Sequence, residues 1–172
     1  MQAPEVIQGE RVRLRPIQPD EAAAILAGRL PTHLTFADAY PGENSIEVMD
    51  IFVGERRGES PNFSPLFIVR GEDGAIIGEI GWSNPQGPEA PVVGYDVVET
   101  LWGRGYATDA LRALIAYLLS MPQVDRVCAD TLKTHIASRR VMEKAGMRLV
   151  REGSEEVDGV TQELVYYEID KD

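Results

Sequence analysis

Residues 103–108 have the residue types and spacing most suited to chemistry in this chain. Gly103, Arg104 and Gly105 follow an apolar, strand-like run and precede a helical pattern. Two glycines there let the backbone turn tightly and leave amide N–H groups uncovered. The first N–H groups of a helix have no intrahelical partner, and the helix dipole adds positive potential at that end. The segment therefore predicts a binding site for a phosphate or pyrophosphate.

Two interpretations of this Gly-x-Gly segment stay open on its spacing alone. It is either an anion site or a tight strand-to-helix connection in which the glycines serve geometry only. It is not a dinucleotide-binding fingerprint, because the third glycine of G-x-G-x-x-G is missing. It is not a P-loop either, because no Gly-Lys-Ser/Thr follows.

A strand and an amphipathic helix must position this segment. Residues 92–98 are β-branched and aromatic, as is typical of a buried strand. After Gly105, apolar side chains recur three and four positions apart, which predicts a helix with one face on a sheet. That stripe consists of Ala107, Ala110, Leu111, Leu114, Ile115 and Leu118. A further strand follows over residues 126–132, so the order predicts a right-handed crossover with the two strands parallel.

The whole chain predicts an α/β fold, a mixed sheet of about seven mostly antiparallel strands with helices on both faces. Strands are predicted over residues 11–15, 66–69, 75–82, 92–98, 126–132, 147–152 and 162–169. Helices are predicted over residues 19–27, 46–57, 107–118 and 136–145. Residues 28–44 are either a loop or short helical pieces, and residues 58–65 and 84–91 are predicted loops. The last two strands predict a hairpin, and its Tyr166-Tyr167 strand, as an edge, is a candidate for pairing two copies into a homodimer.

Length and composition indicate one domain over residues 1–172 with a full hydrophobic core. Apolar residues make up 44% and charged residues 26%, which is ordinary for a soluble globular protein. No apolar run approaches the roughly 20 residues of a membrane span, and residues 1–10 lack the regions of a secretory signal. Cys128 is the only cysteine and the two histidines have no ligand spacing, so we expect no metal site and a reducing cytoplasm.

The formal net charge of −11 argues against a nucleic-acid partner, which would need a basic face. The charge leaves two interpretations open, a cationic ligand or a surface whose acidity serves solubility only. A phosphate-bearing ligand would therefore be held by local amides and a few basic groups, against the overall charge of the chain.

A second motif covers residues 134–147, THIASRRVMEKAGM. Together with WGRGYAT at residues 102–108 and RVRLRP at residues 11–16, it resembles the GCN5-related N-acetyltransferases (GNAT). Within that superfamily the chain most resembles the branch of ribosomal-protein N-terminal acetyltransferases (RimJ/RimL-like). The resemblance runs over residues 10–170, with all elements in the expected order.

The resemblance implies the GNAT fold and an enzyme that moves an acetyl group from acetyl-CoA to a primary amine of a protein N-terminus or a small molecule. It implies that the amides of residues 103–108 hold the CoA pyrophosphate, and that the parallel strands splay apart to admit the pantetheine arm. Backbone groups of the first of these strands would pair with that arm like an added strand. The implied CoA-binding residues are Val97, Val98, Gly103, Arg104, Gly105, Tyr106, Ala107, Thr108 and His135.

Two of the departures from the family pattern concern the chemistry of the site. His135 stands where the family commonly has Asn, and an imidazole replaces only one hydrogen bond of an amide. Met142 stands where many relatives have a Tyr that acts as general acid for the thiolate, and Met cannot donate a proton. Ser138 is retained. The resemblance suggests Ser138 as a hydrogen-bond donor to the leaving thiolate, and the alternative is that it satisfies backbone amides in the first helical turn.

Attack of an amine on a thioester requires proximity, a group that polarises the carbonyl and an acceptor for the amine proton. Candidates for the proton acceptor, each with an exposed or paired carboxylate as the alternative, are Asp96, Glu79 and Glu99. A backbone N–H on a bulged strand near Val97 is the candidate for polarising the carbonyl. Candidate walls of the acceptor pocket, with ordinary core packing as the alternative, are Trp82, Phe36 and Tyr40.

Two other functions stay open at this point. The residues at positions 135 and 142 keep a non-catalytic CoA-binding or scaffold protein of the same fold in consideration. A transferase that uses another acyl-CoA is the second alternative, and it would need extra room or a cationic group near the acyl end.

Overall fold

The computed structural model describes residues 5–56 and 63–172, which form one mixed sheet flanked by helices. Its strands are β1 (Ile7–Gln8), β2 (Val12–Pro16), β3 (Phe63–Arg70), β4 (Ile76–Ser83), β5 (Val92–Val97), β6 (Arg126–Leu132), β7 (Arg148–Val157) and β8 (Val160–Asp170). Its helices are α1 (Pro19–Leu26), α2 (Glu43–Arg56), α3 (Tyr106–Leu119) and α4 (Ile136–Lys144), and a 3-10 turn covers Glu99–Leu101. Within these two described ranges, none of the helices is both long and apolar enough to cross a bilayer.

The strands lie in the order β1-β2-β3-β4-β5-β6-β8-β7. Neighbouring strands of this described sheet are antiparallel except β5 and β6, which are parallel. The predicted fold class, a mixed sheet with a central parallel pair, is therefore confirmed. The described part of the chain has an eight-stranded sheet instead of about seven strands, because β1 has only two residues and gives no sequence pattern.

The C-terminal hairpin forms from β7 and β8 as predicted, but β8 is not an edge strand. It lies between β7 and β6, and it pairs with β6 from Arg126↔Asp170 to Leu132↔Leu164. Val165 and Tyr167 of this strand are buried in the core. The prediction that the Tyr166-Tyr167 strand offers an open edge to a second copy is therefore wrong, and β7 is the edge strand at this end of the described sheet.

Some boundaries differ from the sequence prediction. Residues 63–65, predicted as loop, belong to β3. The ladder with β2 ends at Pro16↔Leu66, and the carbonyl of Pro65 accepts the N–H of Ile17 at 3.2 Å just beyond it. A proline is tolerated at the end of a ladder, where its missing N–H is not needed. Helix α2 begins at Glu43, three residues before the predicted position, and β7 continues to Val157. The predicted elements that fall on residues 57–62 lie outside the described residues.

The helices cover both faces of the sheet. Ser45 of α2 donates a hydrogen bond to Glu79 of β4, and α1 packs beside α2 on that face. Tyr117 of α3 packs against Trp82 of β4 with ring centroids 6.1 Å apart, and α4 packs against α3. Because strand side chains alternate between faces, residues 79 and 82 point to opposite sides of β4. Helices α3 and α4 therefore lie on the face opposite α1 and α2.

Helix α3 buries the apolar stripe that the sequence predicted. Ala110, Leu111, Leu114 and Leu118 have no exposed surface, and Ile115 is 5% exposed. A fully buried Leu or Ile side chain contributes about 1.5–3 kcal/mol by removing apolar surface from water. This burial determines where α3 lies on the sheet, and so where the glycine segment before it is held.

Asp109 joins the first turn of α3 to the start of β2. Its side chain is buried, and its carboxylate accepts the backbone N–H groups of Glu10, Arg11 and Val12 at 3.1, 2.8 and 3.0 Å. The Arg11 guanidinium lies 4.4 Å from the ring centroid of Tyr106, the first residue of α3. The N-terminal segment is thereby attached to the residues that flank the glycine segment.

We expect Asp109→Ala to lower the free energy of unfolding by about 3 kcal/mol, because three backbone N–H groups lose a charged acceptor. Urea unfolding at neutral pH measures this difference. The matched control is Asp50→Ala, which removes an exposed carboxylate from α2 and should change stability by less than about 0.5 kcal/mol. Equal losses in the two variants would mean that Asp109 does not anchor α3.

Candidate functional site

The two parallel strands separate, and a cavity opens between them. β5 and β6 pair only at Val92↔Cys128, where the N–H of Cys128 donates to the carbonyl of Pro91 at 2.9 Å. Beyond this point β5 stays paired with β4 and β6 stays paired with β8. The strands therefore diverge toward their C-terminal ends, as predicted, and the space between them is a cavity of about 600 Å³.

The glycine loop opens into this cavity. Gly103 has φ +74° and Gly105 has φ +85°, in the left-handed region that glycine adopts without strain. A Cβ added to Gly103 would meet no atom within 4 Å, so the backbone there is open to a ligand. Gly105 is the N-cap of α3 and supplies no side-chain cap, so the first N–H groups of the helix face outward without a side-chain partner at the cap. This arrangement suits an anion.

Most of the predicted CoA loop lines the cavity. Its lining residues from this segment are Gly103, Gly105, Tyr106, Ala107 and Thr108. Arg104 does not belong to the lining; its side chain is exposed and its carbonyl accepts a hydrogen bond from Arg11 Nη1 at 2.5 Å. Trp102 also lines the cavity, and it remains 58% exposed.

Val97 and Val98 were predicted to offer backbone groups to the cavity, and the structure differs for both. The N–H of Val98 donates to the carbonyl of Ile77 on β4 at 2.9 Å, so it points away from the cavity. The carbonyl of Val97 accepts the indole N–H of Trp102 at 2.5 Å. Because hydrogen bonding alternates along an antiparallel ladder, the backbone groups of Tyr95 and Val97 point toward β6. The predicted bulge near Val97 is wrong, since β5 pairs with β4 over its whole length without a register shift.

His135 and Ser138 form the wall at the start of α4. His135 is the N-cap residue, and its Nδ1 accepts the backbone N–H of Ser138 at 3.0 Å. The imidazole therefore fixes the first turn of the helix, and both side chains line the cavity. The alternative in which the Ser138 hydroxyl caps this turn is not what the structure has, because His135 fills that role and the hydroxyl faces Tyr95.

Tyr95 is a site residue that the sequence interpretation missed. Its hydroxyl lies 3.1 Å from the Ser138 carbonyl oxygen and 3.1 Å from Ser138 Oγ, across the cavity. Burial raises the pKa of Tyr95 to about 12. The sequence could have indicated Tyr95 through its position next to Asp96. Adjacent strand residues point to opposite faces, so one of the two had to face α4.

Asp96 lies on the cavity wall on the α2 face. Burial raises the pKa of its carboxyl, and a hydrogen bond from the Asn44 side chain partly opposes that shift. Asn44 stands in the first turn of α2 and lines the same cavity. The structure therefore brings this predicted proton acceptor into the cavity, with an amide from α2 beside it.

Glu79 stands opposite Asp96 in the ladder between β4 and β5, but it lies behind the cavity wall. Its side chain is 2% exposed, and its carboxylate accepts hydrogen bonds from the hydroxyls of Tyr40 and Ser45, the latter at 3.0 Å. Burial raises the pKa of Glu79 to about 7, and the charge of Asp96 acts in the same direction. A direct contact of Glu79 with a ligand is therefore blocked by its partners.

The other predicted residues lie elsewhere. Glu99 is exposed on the 3-10 turn, outside the lining of the cavity. Trp82 is 2% exposed and packs on α3, and Phe36 stacks on the buried Tyr40 with centroids 5.0 Å apart. These three aromatic side chains take the core-packing alternative and do not line the cavity. Met142 is buried and does line the cavity, so the position of the expected general acid is filled by a thioether.

Comparisons with known proteins agree with this architecture. The profile of the acetyltransferase (GNAT) domain family matches residues 11–148. A curated relative, the uncharacterized N-acetyltransferase YnaD of Bacillus subtilis (strain 168), is 32% identical over 102 residues, which cover 59% of this chain and 58% of the relative. The match thus spans less than two thirds of that relative.

Solved structures share the fold over nearly the whole chain. An acetyltransferase (GNAT family) from Bacillus anthracis superposes with a TM-score of 0.70 at 19% identity, covering 97% of this chain and 99% of that one. RimL, a ribosomal L7/L12 alpha-N-protein acetyltransferase in complex with coenzyme A, has a TM-score of 0.70 at 16% identity, covering 96% and 98%. At these identities the likeness shows the fold alone.

The buried carboxyl of Glu79 predicts a pH dependence of stability. Its pKa is about 7 in the folded chain and near 4.5 when unfolded. Between these values the folded state holds a proton that the unfolded state has lost, so stability falls as pH rises from about 4.5 to 7 and then levels off. From pH 5 to pH 8 the wild type should lose roughly 2–3 kcal/mol more than Glu79→Gln does.

Urea unfolding at the two pH values measures this loss. Glu47→Gln, which removes an exposed carboxylate from α2, is the matched control and should follow the wild type. A Glu79→Gln variant whose stability falls as much as that of the wild type would contradict the assignment of a protonated Glu79 to the folded state at low pH.

Proposed function

Because the chain belongs to the GNAT acetyltransferase family, we propose that it transfers the acetyl group of acetyl-CoA to a primary amine of a protein N-terminus or a small molecule. The observation that carries this proposal is the separation of β5 and β6 after Val92↔Cys128, which opens a cavity next to the glycine loop. Both reactants would be held together in that cavity, so that the amine attacks the thioester directly.

The CoA part of the donor fits the α3 and α4 side of the cavity. The amides of residues 103–108 and the N-terminal end of α3 would hold the pyrophosphate, where a Cβ-free, left-handed backbone leaves room. Arg140 and Lys144 of α4 line the same cavity and offer positive charge in a chain whose net charge is −11. The pantetheine arm would follow the open edge of β5 from Val97 to Tyr95 and pair with its backbone groups other than the Val97 carbonyl, which Trp102 already occupies.

The amine would enter from the face that α1 and α2 cover. Asn44 and Asp96 line the cavity on this side, and they offer an amide and a carboxylate to an ammonium group. Asp96 is the proposed proton acceptor, since it is the predicted carboxylate that the cavity wall contains. The neighbour RimL is described as an alpha-N-protein acetyltransferase, which supports a protein N-terminus as one acceptor class.

The acceptor class determines how much a base contributes. Roughly a tenth of an α-amine is neutral at pH 7, whereas less than about a thousandth of a lysine ε-amine is neutral. An α-amine therefore needs little more than a water molecule to take its proton, and an ε-amine needs a base. Loss of Asp96 should consequently harm acetylation of an ε-amine more than acetylation of an α-amine.

Acetyl-CoA at 100 times its dissociation constant should add about 2.7 kcal/mol to the stability of the folded chain. For a domain of this size that is a rise in Tm of roughly 5–10 °C. We expect this rise for the wild type and its loss in Gly103→Leu, because the new side chain would occupy the space in front of the loop amides. Thermal unfolding with and without acetyl-CoA, with NAD and ATP as control ligands, measures both.

Gly159→Leu is the matched control for Gly103→Leu. Gly159 lies in the turn between β7 and β8, has φ +77°, and would also place a Cβ with no atom within 4 Å. Both variants therefore carry a similar backbone strain of about 1–2 kcal/mol, and only Gly103→Leu alters the loop. Equal responses of the two variants to acetyl-CoA would overturn the loop as the CoA site, and a response only to a larger acyl-CoA would reassign the donor.

Asp96→Asn should lower kcat by about 100-fold for an ε-amine acceptor, the usual contribution of a general base, and by much less for an α-amine. Release of the CoA thiol measures both rates over a panel of peptides and small amines. Asp50→Asn on the exposed face of α2 is the matched control and should keep the wild-type rates. Equal losses for both amine classes would argue against Asp96 as the base, and binding of CoA without turnover of any amine would favour a non-catalytic role.

A further inference from the structure

Departure of the CoA thiolate needs a hydrogen-bond donor, and the side chain at position 142 is a methionine that cannot supply one. The cavity wall beside Met142 does contain two hydroxyl groups in contact with each other, on Tyr95 of β5 and Ser138 of α4. These hydroxyls come from the two elements between which the thioester would lie.

The Tyr95 hydroxyl donates to the Ser138 carbonyl, and between the two hydroxyls either oxygen can be the donor. The Tyr95 hydroxyl lies 3.1 Å from both the carbonyl oxygen and Oγ of Ser138. Its single hydrogen can be shared between these two acceptors in a three-centre bond. The hydrogen of the Ser138 hydroxyl is then free to point into the cavity. His135 holds the backbone of the same turn through the Ser138 N–H, which places the serine Cα beside Tyr95.

We propose that Tyr95 is a positioning residue that orients the Ser138 hydroxyl toward the sulfur of the bound thioester, so that Ser138 stabilises the departing CoA thiolate. This inference rests on the proposed function. It assigns to β5 and α4 together the task that a tyrosine at position 142 would perform alone.

The transfer step balances without a proton from either hydroxyl. The amine nitrogen forms a bond to the thioester carbonyl carbon, and its proton passes to Asp96 or water. The C–S bond breaks, and its electron pair stays on sulfur. Ser138 donates a hydrogen bond to that thiolate, which takes a proton from water after release. A thiol with a pKa of about 8.5 is a fair leaving group, so a hydrogen bond suffices.

Tyr95 itself is not suited to be the acid. Its pKa of about 12 exceeds that of the thiol, so transfer of its proton to the thiolate would run uphill. The same high pKa keeps the hydroxyl protonated and hence a donor to Ser138 at working pH. Its role is therefore to fix the direction of the serine hydroxyl.

Three variants and one control test this arrangement. Tyr95→Phe and Ser138→Ala each remove one hydroxyl, and the double variant removes both. Tyr117→Phe is the matched control, because Tyr117 is also partly buried but packs on Trp82, away from the cavity lining. Calorimetry with CoA first establishes binding for each protein. Ultraviolet thiolate absorbance against pH, with desulfo-CoA as the reference, then gives the pKa of the bound CoA thiol.

The bound thiol should have a pKa about one unit higher in Tyr95→Phe and in Ser138→Ala than in the wild type, because the thiolate loses one charge-assisted hydrogen bond. kcat should fall about tenfold in each, with little change in KM for acetyl-CoA. The double variant should be no slower than Ser138→Ala, because both hydroxyls act in one chain. Tyr117→Phe should match the wild type in every measurement.

Two results would overturn the inference while leaving the proposed function intact. In the first, the thiol pKa is shifted in Ser138→Ala but keeps its wild-type value in Tyr95→Phe. Tyr95 would then only connect β5 to α4, without orienting the Ser138 hydroxyl. In the second, the thiol pKa is unshifted in both variants, which would mean that Ser138 does not bind the sulfur. Failure of the wild type to bind CoA would overturn the proposed function and the inference together.

Discussion

The site depends on how little backbone pairing β5 and β6 share. They meet at Val92↔Cys128 and then separate, while each keeps its other neighbour for the rest of its length. An open strand edge inside a sheet leaves polar backbone groups without partners, and such groups are costly when they are buried. Along β5 they face a cavity of about 600 Å³, where a ligand or water can satisfy them. The divergence thus creates both the space and the hydrogen-bonding edge of the site.

The alternation of side chains along β5 divides the chemistry between two faces of the sheet. Tyr95 points to α4 and contacts Ser138, whereas Asp96 points to α2 and contacts Asn44. In the proposed reaction, the leaving thiolate lies on the first side and the incoming amine on the second. Neighbouring residues can serve opposite ends of one bond exchange because a strand places them about 180° apart. The basic side chains of α4 and the buried carboxyl of Glu79 behind Asp96 follow the same division. In the proposed reaction, the basic side chains would let an acidic protein offer positive charge locally to a phosphate.

Much of the fold was predictable because its signals are local. The stripe on α3, the β6 strand at Arg126–Leu132 and the C-terminal hairpin follow from periodicity and turn residues within short windows. The contacts of the aromatic residues could not be predicted from such local signals. Nothing near Tyr40 indicates that its hydroxyl reaches Glu79, 39 positions away, or that Trp82 packs under α3. Aromatic side chains occur both in pocket walls and in packed cores. Residue type alone therefore does not show which of the two an aromatic residue belongs to.

The sequence by itself determined the glycine loop, the start of α3 and the family that the chain resembles, because these depend on φ angles and spacings within a few residues. Only the tertiary structure decided which hydroxyls and carboxylates meet. Tyr95 and Ser138 are 43 positions apart, and Asp96 and Glu79 become neighbours only through the register of two strands. Tertiary structure also decided which predicted acids stay out of the cavity, since Glu79 is enclosed by Tyr40 and Ser45 while Glu99 faces solvent. Such contacts arise from packing between distant segments, which no local pattern encodes.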